Sequence, residues 1–297
     1  MHQTDRYKRG FTLIELSIVL VTIGLIIGGI LIGQELIGQA GVRAQVTQIQ
    51  KYDAATNAFY GKYGGLPGDL NSMLATQFGF VARGIQSGQG DGNGLIVGFS
   101  VGSGAFVESY SGETGVFWED LSNAKLIDGG FILASETQTY TGATLTSTTS
   151  PNIGSILPSA KIGNGNYVYV YSGGLTGGDS KNYFGLSAVS GLANSMASNP
   201  GLTVQQAYNI DKKIDDGLAQ SGIVTAFYID NQITTYTAMW AAGGGVAGPS
   251  LGSSATGSPT SCYDNAGGTG PMQYSMGISN GNNVNCALSF KMQGVAR

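Results

Sequence analysis

The sequence predicts an α+β fold: a long N-terminal helix with a membrane-spanning first half, packed on an antiparallel sheet, with an enlarged, loop-rich globular domain behind it. Three observations carry this. Residues 11–33 form one apolar run whose only charge is Glu15. Residues 42–63 continue it with an amphipathic helical pattern. The remainder mixes short alternating segments, turn residues and isolated helices, and lacks the regular strand–helix alternation of a parallel sheet.

The run from Phe11 to Gly33 is long enough to cross a hydrocarbon core of about 30 Å as one helix. Basic residues precede it and the next is Arg43, so the segment before it is expected on the cytoplasmic side. Gly24-x-x-x-Gly28 and Gly29-x-x-x-Gly33 are either surfaces for close helix approach or glycines that a membrane helix tolerates. In the second half Val46, Ile49, Tyr52, Phe59 and Tyr63 recur on one face, while Gln45, Gln48, Gln50, Lys51 and Asp53 fall mostly off it. Gly64-Gly65-Leu66-Pro67-Gly68 ends the helix in turn chemistry. A polar, glycine-rich passage reaches about Gly115, and a short helix is expected over Phe117–Leu126. Residues 134–160 read as surface loop and 241–259 as a flexible loop. Strands are expected at 166–171, 183–189 and 287–292. Segments 223–229 and 233–239 make a hairpin across Asp230-Asn231-Gln232. Thr203 and Gln206 have capping-box spacing, Ala207, Ile210 and Ile214 share a face, and Gly217 suits the C-terminal cap.

Composition excludes several classes of chemistry. The chain has 297 residues, with 18 acidic and 14 basic side chains and a formal charge of −4. A pI near 4.9 argues against binding nucleic acid through phosphate neutralisation. His2 is the one histidine and lies in the basic leading segment, so a Ser-His-Asp or Cys-His mechanism lacks its base. Cys262, Cys286 and His2 are too few for a structural zinc site. P-loop, Rossmann and HExxH motifs are absent from the sequence, and no enzyme is predicted.

Lys8-Arg9-Gly10-Phe11-Thr12-Leu13-Ile14-Glu15 resembles the prepilin motif of type IV pilins and type II secretion pseudopilins. The likeness is highly specific over residues 8–35. Tyr63–Asp69, Glu113–Gly130 and Ile210–Gly217 are also similar to segments of that family. The resemblance implies a leader of residues 1–10, an assembly helix of residues 11–63 and a globular domain of residues 64–297. It implies cleavage by a prepilin peptidase between Gly10 and Phe11, N-methylation of Phe11, and pairing of Glu15 with the terminal amine of a neighbouring subunit. Loss of the leader would change the formal charge from −4 to −6. The implied protein is a structural subunit of a type IV pilus or pilus-like filament. It would be held in a bacterial inner membrane after processing and would reach the cell surface as a helical homopolymer built by the pilus assembly machinery. A minor pilin, a pseudopilin or a tip adhesin is the alternative.

Cys262 and Cys286 form an even pair in a segment expected outside the cytoplasm, which reads as a disulfide, with two buried thiols as the alternative. Asp91-Gly92-Asn93-Gly94 alternates oxygen side chains with glycine. It is either a calcium-binding loop, to which Asp69, Glu108 or Glu113 would add ligands if the fold brought them close, or a tight turn. Otherwise no cofactor is expected. In Asp211–Gly217 the adjacent acids Asp215 and Asp216 sit at a helix end that disfavours them. A Lys212–Asp216 pair and backbone amides are expected to offset this, and the cluster reads as structural.

Overall fold

The computed structural model describes residues 10, 12–83, 88, 90–98, 112–131, 153–173, 179–192, 196–230, 238–241, 257–265 and 270–294. The chain divides into two compact units, residues 1–41 and 42–297. Helix α1 (Leu13–Tyr63) contributes to both. After it come α2 (Ser72–Phe78), α3 (Glu113–Asn123), β1 (Asn166–Ser172), β2 (Asn182–Gly191), β3 (Ala197–Asn199), β4 (Leu202–Thr203) and α4 (Val204–Ile214). Then follow β5 (Val224–Thr225), β6 (Phe227–Ile229), β7 (Ala238–Trp240), β8 (Tyr263–Asp264), β9 (Gln273–Tyr274), β10 (Val284–Cys286) and β11 (Leu288–Lys291).

In the first unit, side chains such as Leu13, Leu16, Val21, Leu25 and Leu31 are exposed. This helix is long and apolar enough to cross a membrane.

The second unit is built on an antiparallel sheet in the order β1-β2-β11-β5, with β3 also pairing β2. Tyr171 stands opposite Tyr183 across β1 and β2, and the two rings stack at 5.2 Å. Aromatic cross-strand pairs of this kind stabilise a sheet beyond their area. Two hydroxyls inside the layer form a chain: Tyr171 donates to Ser289 at 2.6 Å, and Ser289 donates to the Phe227 carbonyl at 2.7 Å. The expected face of α1 is the buried one. Val46, Ile49, Phe59 and Tyr63 are in the core, and Tyr52 packs edge-on against Trp118 of α3 at 4.8 Å and near Phe184 of β2.

Several expectations need correction. Gln45 and Gln48 are buried, not off the packed face. Their amides serve as a hydrogen-bonding edge for the loop at 159–162: Gln48 Oε1 accepts from Lys161 N at 2.9 Å, Gln48 Nε2 donates to the Ser159 carbonyl at 2.9 Å, and Gln45 Oε1 accepts from Ile162 N at 3.2 Å. The end of the expected surface loop at 134–160 therefore belongs to the core, where Ile156 and Leu157 are buried; residues 134–152 lie outside the described ones. The expected strand 223–229 is two strands in two sheets, because Ala226 N leaves the ladder to donate to Ala219 at 2.7 Å. Its hairpin partner is described only as β7, since residues 231–237 lie outside the described ones. Helix α3 begins at Glu113, four residues before the expected start, and α2 was not expected. The Thr203–Gln206 capping box forms. The C-cap is Asp215, not Gly217. Of the loop at 241–259, only 241 and 257–259 are described.

Candidate functional site

At the start of α1 a second capping box has formed. Thr12 precedes the first helical residue and Glu15 stands at the third. The Glu15 amide donates to Thr12 Oγ1 at 3.3 Å, while Thr12 N and Oγ1 each donate to Glu15 Oε2 at 2.7 Å. These contacts satisfy amides that the first helical turn leaves without partners. The Thr-x-x-Glu spacing of Thr12 and Glu15 is the local sequence signal of this box. Gly10 is exposed, with no heavy atom within 4 Å of where a Cβ would sit. Phe11 lies outside the described residues.

In the globular unit, three sequence segments that look unrelated are tied together by carboxylates. Asp69 follows the turn that ends α1 and is anchored by buried Leu66 and Leu70. Its Oδ1 accepts from Gly92 N and its Oδ2 from Gly94 N, both at 2.7 Å. Glu113 opens α3. Its Oε1 accepts from Gly90 N at 2.9 Å and its Oε2 from Val97 N at 2.8 Å. Seven residues further along α3, Asp120 accepts from Gly68 N at 2.7 Å and pairs with Arg83 Nη2 at 2.5 Å, both side chains fully buried. The loop between them turns on itself: Asp91 Oδ1 accepts from Asn93 N at 3.0 Å, and Asn93 Oδ1 from Leu95 N at 2.7 Å. Glycine is required at Gly68, where φ is +84° and a Cβ would lie 2.3 Å from the Glu113 carbonyl.

One oxygen each from Asp69, Asp91 and Glu113 lies within 4.8 Å of the others. Asp69 and Glu113 are buried and Asp91 is exposed. Burial pushes Asp69 up to about 7, against the pull of the Gly94 and Gly92 amides, and the Asp91 charge adds to the rise. Burial also pushes Glu113 well above the usual carboxylate range, followed by the charge of Asp69. Asp120 is raised to about 6 by burial, opposed by Arg83. Adjacent Glu119 is raised to about 7, mainly by burial and then by Asp120. Such a cluster relieves its repulsion by keeping a proton or by holding a cation. Three carboxylates form a hard oxygen donor set, the type that suits calcium or magnesium. Glu108 lies outside the described residues.

The second acidic cluster, Asp211, Asp215 and Asp216, staples a loop. Asp211 Oδ1 accepts from Gly217 N at 3.1 Å and its Oδ2 from the Tyr274 hydroxyl at 2.7 Å. Asp215 accepts from Ile223 N and Val224 N. Asp216 accepts from Leu218 N at 2.8 Å and the Ser221 hydroxyl at 2.7 Å. The expected Lys212–Asp216 pair is not made, because Lys212 donates to the Tyr208 hydroxyl one turn earlier, at 2.9 Å. Local donors satisfy the acids instead. Cys262 and Cys286 are bonded to each other and fully buried.

No family model, no curated protein and no solved structure matches this chain. The functional reading therefore rests on the residues themselves. Asp91 and Asn93 were singled out by spacing, and Asp69 and Glu113 on condition of the fold; the fold brings Asp69, Asp91 and Glu113 together, while Asn93 Oδ1 turns to Leu95 N. Arg83, Asp120 and Thr12 were missed.

Proposed function

We propose that the chain is a pilin-like structural subunit, processed between Gly10 and Phe11, held in a bacterial inner membrane and polymerised through its N-terminal helix. The observation that carries this reading is the helix start. A single carboxylate, Glu15, sits near the head of the apolar run 11–33 that opens the helix, and that run carries no other charge. Buried in a helix bundle, that charge would need a partner of opposite sign, and a free amine on Phe11 of an adjacent copy supplies one. The prepilin-like motif before it fits the same account. Purified filaments should contain the chain as a main component, and a chain found only in trace amounts would favour the minor pilin, pseudopilin or tip adhesin reading.

A second reading concerns the loop cluster: Asp69, Asp91 and Glu113 hold a hard divalent cation, for which calcium is the probe. Its support is the convergence of three carboxylate oxygens within 4.8 Å, two of the side chains being buried. The cation would neutralise the cluster and lock the loop at 90–97 to α3. Thermal unfolding with calcium or chelator tests it, as argued below.

A further inference from the structure

We propose that a cationic groove along α1, between Arg43 and Ala58, is the docking site for the acidic surface of a second copy of this chain, an inference that rests on the filament reading above. The groove has a volume of about 1110 Å³. That exceeds small-molecule pockets of roughly 300–1,000 Å³ and suits a segment of protein. Its floor is the face of α1 carrying Ala44, Thr47, Ala54 and Ala58, all exposed and short. The segment after α3 forms one wall, and residues 158–161 contribute to the other.

Charge identifies the occupant. Among the described residues lining the groove are Arg43, Lys51, Lys125 and Lys161, against the single acid Asp128. These make the groove +3 in a processed chain of −6, so everything outside it carries −9. None of the four cations forms an ion pair among the described residues. Lys125 holds its place at a backbone cost: its φ is +59°, at a helix end where glycine is the unstrained choice. Two copies of this groove repel each other, so an isologous contact through it is disfavoured. Exposed acids outside the groove, Asp91 and Asp216 among them, are the complementary groups on another copy. A contact between unlike surfaces is heterologous and, when its rotation does not close a ring, propagates as an open helical filament. The charges would set orientation and register more than raw affinity.

The test compares full-length chains in cells that assemble them. Lys51→Glu with Lys125→Glu should lower the yield of sheared filaments at least ~10-fold, the expected cost of placing like charges in contact. The processed subunit should still accumulate, with an unchanged thermal midpoint. Lys51→Arg with Lys125→Arg, and Lys213→Glu on the exposed side of α4, should leave the yield at the wild-type level. Normal yield from the double glutamate chain would overturn the groove contact while leaving the filament reading intact. A wild-type chain that forms no filaments would overturn both. If the double variant fails to accumulate, carbodiimide cross-linking of wild-type filaments mixed from isotope-labelled and unlabelled copies decides. Links from Lys51, Lys125 or Lys161 to carboxylates of the other copy support the contact, and links confined to one copy overturn it.

Discussion

Glu15 has an intramolecular partner in Thr12, and the proposed filament gives its carboxylate an intermolecular one. The two roles respond differently to substitution. A glutamine can still accept the Thr12 amide, so Glu15→Gln keeps the capping box and loses the charge. If Glu15 only capped the helix, Glu15→Gln would assemble normally. The filament account instead expects Glu15→Gln and Glu15→Leu both to reduce or abolish filaments while the processed subunit accumulates in the membrane. Filament yield after shearing is the readout. The Asp69 cluster makes a pH prediction. Unfolded, Asp69 titrates near ~4; folded, it titrates at about 7. The folded chain therefore holds the proton more tightly, and this contribution is fully present below about pH 4 and is lost as pH rises through about 7. In chelator, the detergent-solubilised chain should melt higher at pH 5.5 than at pH 8, and Asp69→Asn should flatten that difference. If the cluster holds calcium, saturating calcium at about 100 times Kd should add about 2.7 kcal/mol at pH 8 and much less at pH 5.5. The same pH trend with no calcium increment would mean that the carboxylates share a proton and hold no cation.

Elements whose signals are local were legible. The Thr203–Gln206 box formed because both partners lie within one turn, and Thr203→Ala should cost about 1 kcal/mol in chemical denaturation. The face of α1 was also readable, since its period is a property of neighbouring residues. Helix α2 was missed although it carries its own signs: Asn71 caps Leu74 N at 2.9 Å, and Gly79 ends it with φ +73°. With only seven residues between glycine-rich flanks, the helix is too short for its period to stand out. The start of α3 was placed late because Gly115 looks like a breaker, yet it is buried inside the helix beside Glu113. Gly68 shows how tightly the loop cluster is closed. Gly68→Ala meets both a positive φ and the Glu113 backbone, and should cost about 2–4 kcal/mol by thermal or chemical unfolding. A change within about 0.5 kcal/mol would mean that the loop relaxes freely.

At the scale of the molecule, the α+β class followed from the mixed pattern, but strand order did not. Strand β2 lies between β1 and β11, which are far apart in sequence, and nothing in the alternation of 183–189 announces that pairing. The carboxylate cluster was half legible for the same reason: Asp91-Gly92-Asn93-Gly94 is a local motif, whereas Asp69 and Glu113 reach it only through the fold. The Cys262–Cys286 bond closes a loop with a sequence separation of 24. Its loss in Cys262→Ser with Cys286→Ser should cost about 3.5 kcal/mol in the chain-entropy account. The central claim is that this chain is processed at Gly10–Phe11 and then polymerises through α1. Mass spectrometry of sheared, purified filaments tests it most directly, because one spectrum identifies the subunit and its first residue. The account predicts this chain as an abundant component beginning at N-methylated Phe11. An intact leader on the assembled chain, or filaments without this chain, would contradict it.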